Sequence, residues 1–191
     1  MARNGSQLGG AGALSREAWI AAALEVLGAE GVDAVRVEVL ARKLGITKGS
    51  FYHHFGGRDD LRAAMLGEWR ERLVVEVIDR LERISDPCER FSQLLRLPYE
   101  IARSDLDLDL AVALWARKDR NAARAMKAAD RIRTEFISRT LVACGVAPGE
   151  APARAVLVLA FLREAPRLDA ADFAVCERLF TSPAAAGRRR A

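Results

Sequence analysis

The sequence predicts an all-α protein in which a small N-terminal three-helix unit, a helix-turn-helix, is joined by a long fourth helix to a C-terminal helical bundle. Three observations carry that expectation. Two short apolar-periodic segments flank a glycine turn between Leu40 and Phe55, and a four-residue apolar repeat runs from Leu61 to Leu81. No proline and no long strand-like alternation occur between Ser15 and Phe55, which disfavours a winged or β-rich module. With 191 residues, 51% of them apolar, the chain has material for one small unit and one larger helical core.

The first helix starts after Ser15, which can cap it, and carries Ile20, Leu24 and Leu27 at i, i+4 and i+7, with Trp19, Ala23 and Val26 widening the stripe. Gly28 and Gly31 bracket its end. The second helix buries Leu40, Ala41 and Leu44; Gly45 supplies the positive backbone angle that ends it, and Thr47 stands where the third helix needs an N-cap. Ile46 and Phe51 are the apolar groups expected to lock these two helices together. Lys48, Ser50, Tyr52 and His53 are left to meet a phosphate backbone or base edges. Gly56 and Gly57 break the third helix, and Asp59 and Asp60 favour the positive end of a fourth. Leu61, Met65, Trp69, Leu73, Val77 and Leu81 then recur every four residues. A run from Arg58 to Ile84 spans about 40 Å at roughly 1.5 Å per residue, long enough to leave the small unit.

The stretch Gly31 to Phe55, with Leu40-Ala41 and Leu44-Gly45-Ile46-Thr47-Lys48-Gly49-Ser50-Phe51-Tyr52-His53-His54-Phe55 and then Asp59-Asp60-Leu61, resembles the N-terminal domain of the TetR family of bacterial transcriptional regulators. The resemblance covers Ser15 to Leu66, about a quarter of the chain, and its Thr47–Phe55 run is far more specific than a generic helix-turn-helix pattern. It implies that Thr47 caps the recognition helix, that Lys48 approaches backbone or base edge, and that Gly49 lets DNA come close. It implies contacts to bases or phosphates for Ser50, Tyr52 and His53, inward packing for Phe51 and Phe55, and phosphate contact or helix-end packing for His54. Two positions depart from the family pattern. Arg36 stands where Thr or Ser usually starts the second helix; it cannot cap but can reach a phosphate, with Asp33 as an earlier cap. Gly57 replaces a frequent capping Ser. Lys43 completes the expected DNA-facing set, its alternative being a solvated helix charge.

The domain division that follows is a disordered tail over 1–14, a helix-turn-helix DNA-binding domain over 15–57, a helical ligand-binding and dimerisation domain over 58–182, and a disordered basic tail over 183–191. Arg3 could serve as a minor-groove arm. In the body, Asp86-Pro87 opens a helix running through Phe91, Leu94 and Leu95 toward Tyr99, which Pro98 kinks or ends; Leu106–Trp115 forms another, and Ala122–Cys144 a long one before Gly145-Val146-Ala147-Pro148-Gly149. Ala155–Leu162 is uncharged for eight residues and needs neighbours on more than one side. Val156, Leu159, Phe161 and Leu162 there, with Phe173, Leu179 and Phe180 on the last helix, are expected to form a four-helix homodimer interface of the kind the family uses; burial within one subunit is the alternative.

A small apolar or aromatic effector is expected in the body, against Trp69, Phe91, Leu95, Tyr99, Trp115, Met126 and Phe136, with Glu100, Arg103 and Arg117 for polar specificity; ordinary core packing is the competing reading for each large group. The resemblance implies a repressor that binds a palindromic double-stranded operator as a homodimer and is released by that effector. A constitutive regulator or activator without an inducer would carry the same N-terminal motif.

Charge adds little. The formal net charge is +4, of which Arg188, Arg189 and Arg190 contribute three, and residues 1–62 hold eight Lys or Arg against seven Asp or Glu. Recognition must come from the placement of charges. His53 and His54 are the only histidines and lack partners at metal-ligand spacing. No cofactor, metal or enzymatic machinery is expected, since no Ser-x-x-Lys pair, nucleotide-binding glycine loop or paired His/Cys arrangement is present. No stretch suits a bilayer or a secretion signal, so the cytoplasm is the expected compartment. Cys88, Cys144 and Cys176 are odd in number and widely spaced, which fits reduced packed thiols, with a redox switch as the alternative.

Overall fold

A computed structural model describes residues 15–100, 103–164 and 170–181. The expectations for both tails lie outside them. The described chain is helical throughout, with no strand: α1 (Arg16–Glu30), α2 (Val37–Leu44), α3 (Lys48–His54), α4 (Arg58–Arg70), α5 (Glu76–Glu82), α6 (Pro87–Glu100), α7 (Arg103–Ala116), α8 (Arg120–Ala143), α9 (Ala151–Glu164) and α10 (Ala170–Thr181). A short 3-10 turn, Val32–Ala34, precedes α2.

The local signals in the N-terminal three-helix unit, α1 to α3, named the reading unit for its expected role, act as the residues suggest. The Ser15 side chain accepts from Ala18 N at the start of α1. Gly45 takes φ 68° and closes α2, its N–H donating back into the last turn, a conformation that costs a residue with a Cβ about 1–2 kcal/mol. Two caps differ in detail. Thr47 holds the extended N-cap backbone of α3, yet its side chain makes no capping bond. Arg36 occupies the N-cap of α2, also without a side-chain cap, and Asp33 lies within the 3-10 turn instead of capping. Gly57 leaves the start of α4 without a side-chain cap, and the Asp60 carboxylate accepts from Gly56 N at 3.0 Å just ahead of it.

The long helix from Arg58 to Glu82 forms as expected, with one addition. A π turn over Glu71–Val75 joins α4 to α5. Pro98 neither breaks nor ends α6, which continues to Glu100. Asp119 caps α8, its Oδ1 accepting from Asn121 N at 2.8 Å and Ala122 N at 2.9 Å.

Buried apolar residues form two clusters. The first joins α1, α2, α3 and α4 to α7 and the N-terminal half of α8, through Trp19, Phe51, Met65, Trp69, Leu108, Val112, Trp115 and Met126 among others. Gly28 faces α7 within this union, where a Cβ would meet the Leu108 backbone at an ordinary van der Waals distance of 3.7 Å. The second cluster gathers Leu81, Phe91, Leu94, Leu95, Phe136, Ile137, Leu141, Val158 and Leu159 from α5, α6, the C-terminal half of α8 and α9. The first cluster therefore runs straight across the 57/58 boundary.

Candidate functional site

The exposed face of α3 is built from its buried one. Phe51 is completely buried; its ring meets Trp19 edge-on at 5.3 Å and stacks on Phe55 at 5.2 Å. Arg16 covers the Phe55 ring at 4.7 Å and pairs with Asp60 at 3.4 Å, tying α1 to α4 around the end of α3. With Phe51 pinned inward, the next residue on the helix points out: Tyr52 is 67% exposed, while its ring still contacts Phe51 edge-on at 5.2 Å. Lys48, Gly49 and His53 are exposed, Thr47 is exposed just before the helix, and Ser50 and His54 are half-buried. The structure thus gathers seven of the nine expected DNA-facing residues on or next to one seven-residue helix.

The cations around it are held by internal acceptors. Lys48 Nζ lies 2.8 Å from Glu38 Oε1, Lys43 Nζ lies 3.0 Å from Glu25 Oε2, and Arg36 Nε donates to the Asp33 carbonyl at 3.1 Å. The hydrogen bond from Lys48, together with Glu38's own backbone and the Lys48 charge, holds the Glu38 carboxyl below its usual range. Glu25 and Glu38 escaped the sequence reading, although both sit in helices beside the motif.

A cavity of about 680 Å³ opens between the two apolar clusters. Its apolar wall includes Val77, Leu81, Leu94, Leu97, Phe136, Ile137, Leu159 and Leu162, and its charged wall Arg72, Arg103, Asp105, Asp107, Asp109, Arg133 and Arg163. Of the seven large groups expected to face an effector, Phe136 alone lines it. Trp69, Trp115 and Met126 fill the first cluster and Phe91 and Leu95 the second, because large apolar side chains at helical spacing found close-packed partners first. Tyr99 is exposed and packs edge-on against Phe173 at 5.0 Å. Arg103 reaches the cavity; Glu100 and Arg117 are exposed elsewhere.

Arg133 is the hub of the charged wall. Its Nη2 donates to Asp109 Oδ1 at 2.8 Å and to the Leu73 carbonyl inside the π turn at 3.4 Å. Asp109 Oδ1 also accepts from the Trp69 indole at 3.1 Å. One carboxylate on α7 therefore joins α4 to α8, and one guanidinium joins both to the π turn. Arg72 in that turn pairs with Asp105, and Arg163 Nη2 lies 2.5 Å from Asp130. A signal for Arg133 existed: it occupies a buried stripe position of α8 between Ala129 and Phe136, where charge demands a partner.

On α9 and α10, Leu159 is buried in the second cluster, and Phe161 packs against Phe173 and Phe180. Val156 and Leu179 stay 59% and 69% exposed, and Leu157 and Val175 are exposed beside them. Leu162 is half-buried at the cavity. The expected interface set is thus divided between packing within the chain and an uncovered apolar face. Among the described residues no helix is long and apolar enough to cross a membrane, and no group of three or more metal-ligating side chains assembles.

The family model for bacterial regulatory proteins of the tetR family matches residues 20–65. The chain is 30% identical over 100 residues to the HTH-type transcriptional regulator BetI of Rhizobium meliloti, covering 52% of this chain and 48%, about half, of that one. It is 37% identical over 96 residues to the uncharacterized HTH-type transcriptional regulator TtgW of Pseudomonas putida, covering 42% of this chain and 72% of that one. Among solved structures, a TetR-family member from Streptomyces coelicolor superposes with a TM-score of 0.67 at 23% identity over 87% of this chain and 95% of that one, a likeness of fold. The matched stretch contains the glycine turn, the buried Phe51 and the outward Tyr52, and with this motif and these relatives the chain belongs to the TetR family of bacterial regulatory proteins.

Proposed function

We propose that this protein is a sequence-specific DNA-binding transcriptional regulator, a repressor that binds a palindromic operator as a homodimer and leaves it when a small molecule occupies the cavity. The observation that carries the reading is the division of α3: Phe51 is buried beneath it, and Lys48, Tyr52 and His53 are presented outward. Arg36, Lys43, Thr47, Gly49, Ser50 and His54 complete the proposed set of DNA contacts. A single seven-residue helix reads only a few base pairs, so two subunits are needed for an operator. The uncovered Val156, Leu157, Val175 and Leu179 on α9 and α10 supply the apolar face for that pairing.

The cavity supports release by an effector over constitutive binding. Its two walls suit an amphipathic small molecule, with an apolar part against Leu81, Leu97 and Ile137 and a polar head among the Arg–Asp pairs. That head would meet Arg133, which holds the π turn, so occupation reaches the helix leading to the reading unit. Release requires the ligand to favour one arrangement of that helix over the other, and the population moves only by the difference in affinity.

The test is selection of genomic DNA fragments by the purified protein at several salt concentrations. A recovered palindrome is the expected result, and Lys48→Ala or Tyr52→Ala should each weaken its binding about tenfold, or ~1.4 kcal/mol, with the oligomer intact. Recovery of sequence-independent fragments only, or unchanged affinity in both variants, would overturn the assignment.

A further inference from the structure

The charged wall of the cavity is wired unevenly. Among the described residues five arginines line it against three aspartates and one glutamate. The three aspartates are all engaged: Asp105 holds Arg72, Asp107 pairs with Arg103 at 3.2 Å, and Asp109 Oδ1 accepts from both Arg133 and the Trp69 indole. Glu76 and Arg80, one turn apart on α5, are both exposed and offset each other in charge. The remaining two arginines meet at one point. Arg133 Nη1 on α8 and Arg163 Nη2 in the last turn of α9 both reach Asp130 Oδ1, at 3.6 and 2.5 Å. Both arginines line the cavity, and Asp130 does not. Two guanidiniums therefore border the space together, with the carboxylate they share outside it.

That wiring favours an anion over a cation. Arg133 is the donor common to Asp109 and Asp130, and each of those acids has a second donor, the Trp69 indole for Asp109 and Arg163 for Asp130. An incoming anion that draws Arg133 toward the space leaves neither acid bare. A guanidinium also carries five N–H donors in a fixed fork, and Arg163 uses Nη2 for both Asp130 and the Met126 sulfur, so a ligand oxygen is accepted without breaking that pair. An incoming cation has to compete for aspartates that arginines already hold. It would also stand beside Arg133, whose side chain is 15% exposed and stays charged at any ordinary pH.

We propose, building on the effector reading above, that the molecule this cavity takes is a small anionic amphiphile, a carboxylate head on an apolar tail, with the head clamped between Arg133 of α8 and Arg163 of α9. The carboxylate oxygens accept from the two guanidiniums in charge-assisted hydrogen bonds. The tail lies along Leu81, Leu97, Ile137 and Leu159. A volume of about 680 Å³ falls within the roughly 300–1,000 Å³ of small-molecule sites, ample for one such tail. The head competes with Asp109 for Arg133 while the Trp69 indole goes on donating to that aspartate. Arg133 is also the donor to the Leu73 carbonyl, so the head acts on the side chain that holds the π turn.

Calorimetric titration of the full-length protein, without DNA, with octanoate, octanol and octyltrimethylammonium varies the head at constant tail. Octanoate is expected to bind at least about tenfold tighter than either of the others. Arg163→Gln, a half-exposed change in the last turn of α9 that should leave folding intact, is expected to weaken octanoate about tenfold and leave octanol unmoved. Arg133→Gln should do the same, with circular dichroism establishing that each variant is folded. No octanoate binding at millimolar concentration, equal binding of the three heads, a preference for ammonium, or octanoate affinity unchanged in Arg163→Gln each overturns the clamp. Operator release is measured separately. Octanoate that binds through Arg163 and leaves the operator occupied keeps the clamp and removes the release reading; octanol or the ammonium compound binding best and releasing the operator keeps release and removes the clamp.

Discussion

The two apolar clusters differ in what they hold together. The first contains the whole buried face of the reading unit and continues into α7 and the first half of α8; the second packs the far half of α8 against α5, α6 and α9. Helix α3 is therefore oriented by a core that it shares with the body, and it does not hang from the long helix alone. The cavity and the π turn lie where the clusters meet, and there the packing gives way to ion pairs. Dry packing sets the angle of the reading unit. Polar contacts, Arg133 to Asp109 and Arg72 to Asp105, tie the halves together at the seam.

The strongest way to break that contrast is Phe51→Ala. Removing a fully buried ring that packs on Trp19 and Phe55 should cost about 3–5 kcal/mol. Because the cluster crosses into the body, the melting curve should shift as a single transition. An early separate transition over the first quarter of the chain would show that the reading unit folds independently.

Asp109→Ala tests the seam. It leaves Arg133 and the Trp69 indole without their shared acceptor, at a cost of about 1–3 kcal/mol in urea unfolding. Hydrogen exchange should rise first at the π turn. A loss spread evenly over both clusters would mean that the seam is no weaker than its surroundings.

Smaller effects sharpen the comparison at the surface and at the far end. Glu38→Gln frees Lys48 from its partner and should tighten operator binding a few-fold, with little change in melting temperature. At the far end, burial pushes the Cys144 thiol up to about 12, so it should resist alkylation at pH 8 and react only under much more alkaline conditions. Ready alkylation of Cys144 at pH 8 in the folded protein would show that the second cluster does not shield it.

The reading unit was legible because local chemistry marks it: the cap at Ser15 and the left-handed Gly45 need only neighbours in sequence, and Phe51 beside Tyr52 shows which side of α3 turns inward. The π turn left a trace that was read too simply. Six apolar residues spaced by four, Leu61 to Leu81, drift by about 40° per step around a helix of 3.6 residues per turn. The wider turn at Glu71–Val75 takes up part of that drift, and the stripe passes from the first cluster at Leu61, Met65 and Trp69 to the second at Leu81. The cavity was hidden for another reason. Size and apolarity identify residues that pack, and Trp69, Phe91 and Trp115 packed; the residues that leave space uncovered are set by contacts between distant helices, as when Arg133 meets Asp109 24 positions away.

The pairing of Lys48 with Glu38 and of Lys43 with Glu25 bears on how salt would govern the proposed DNA complex. A phosphate that draws either lysine expels a condensed cation from the DNA, yet it also strips a carboxylate of its partner, and that carboxylate gathers a cation from solution in turn. The net uptake of ions on dissociation is then smaller than the number of lysine–phosphate contacts. The logarithm of the binding constant should fall with the logarithm of salt less steeply than the wild-type lysines alone would dictate, and Glu38→Gln should steepen it.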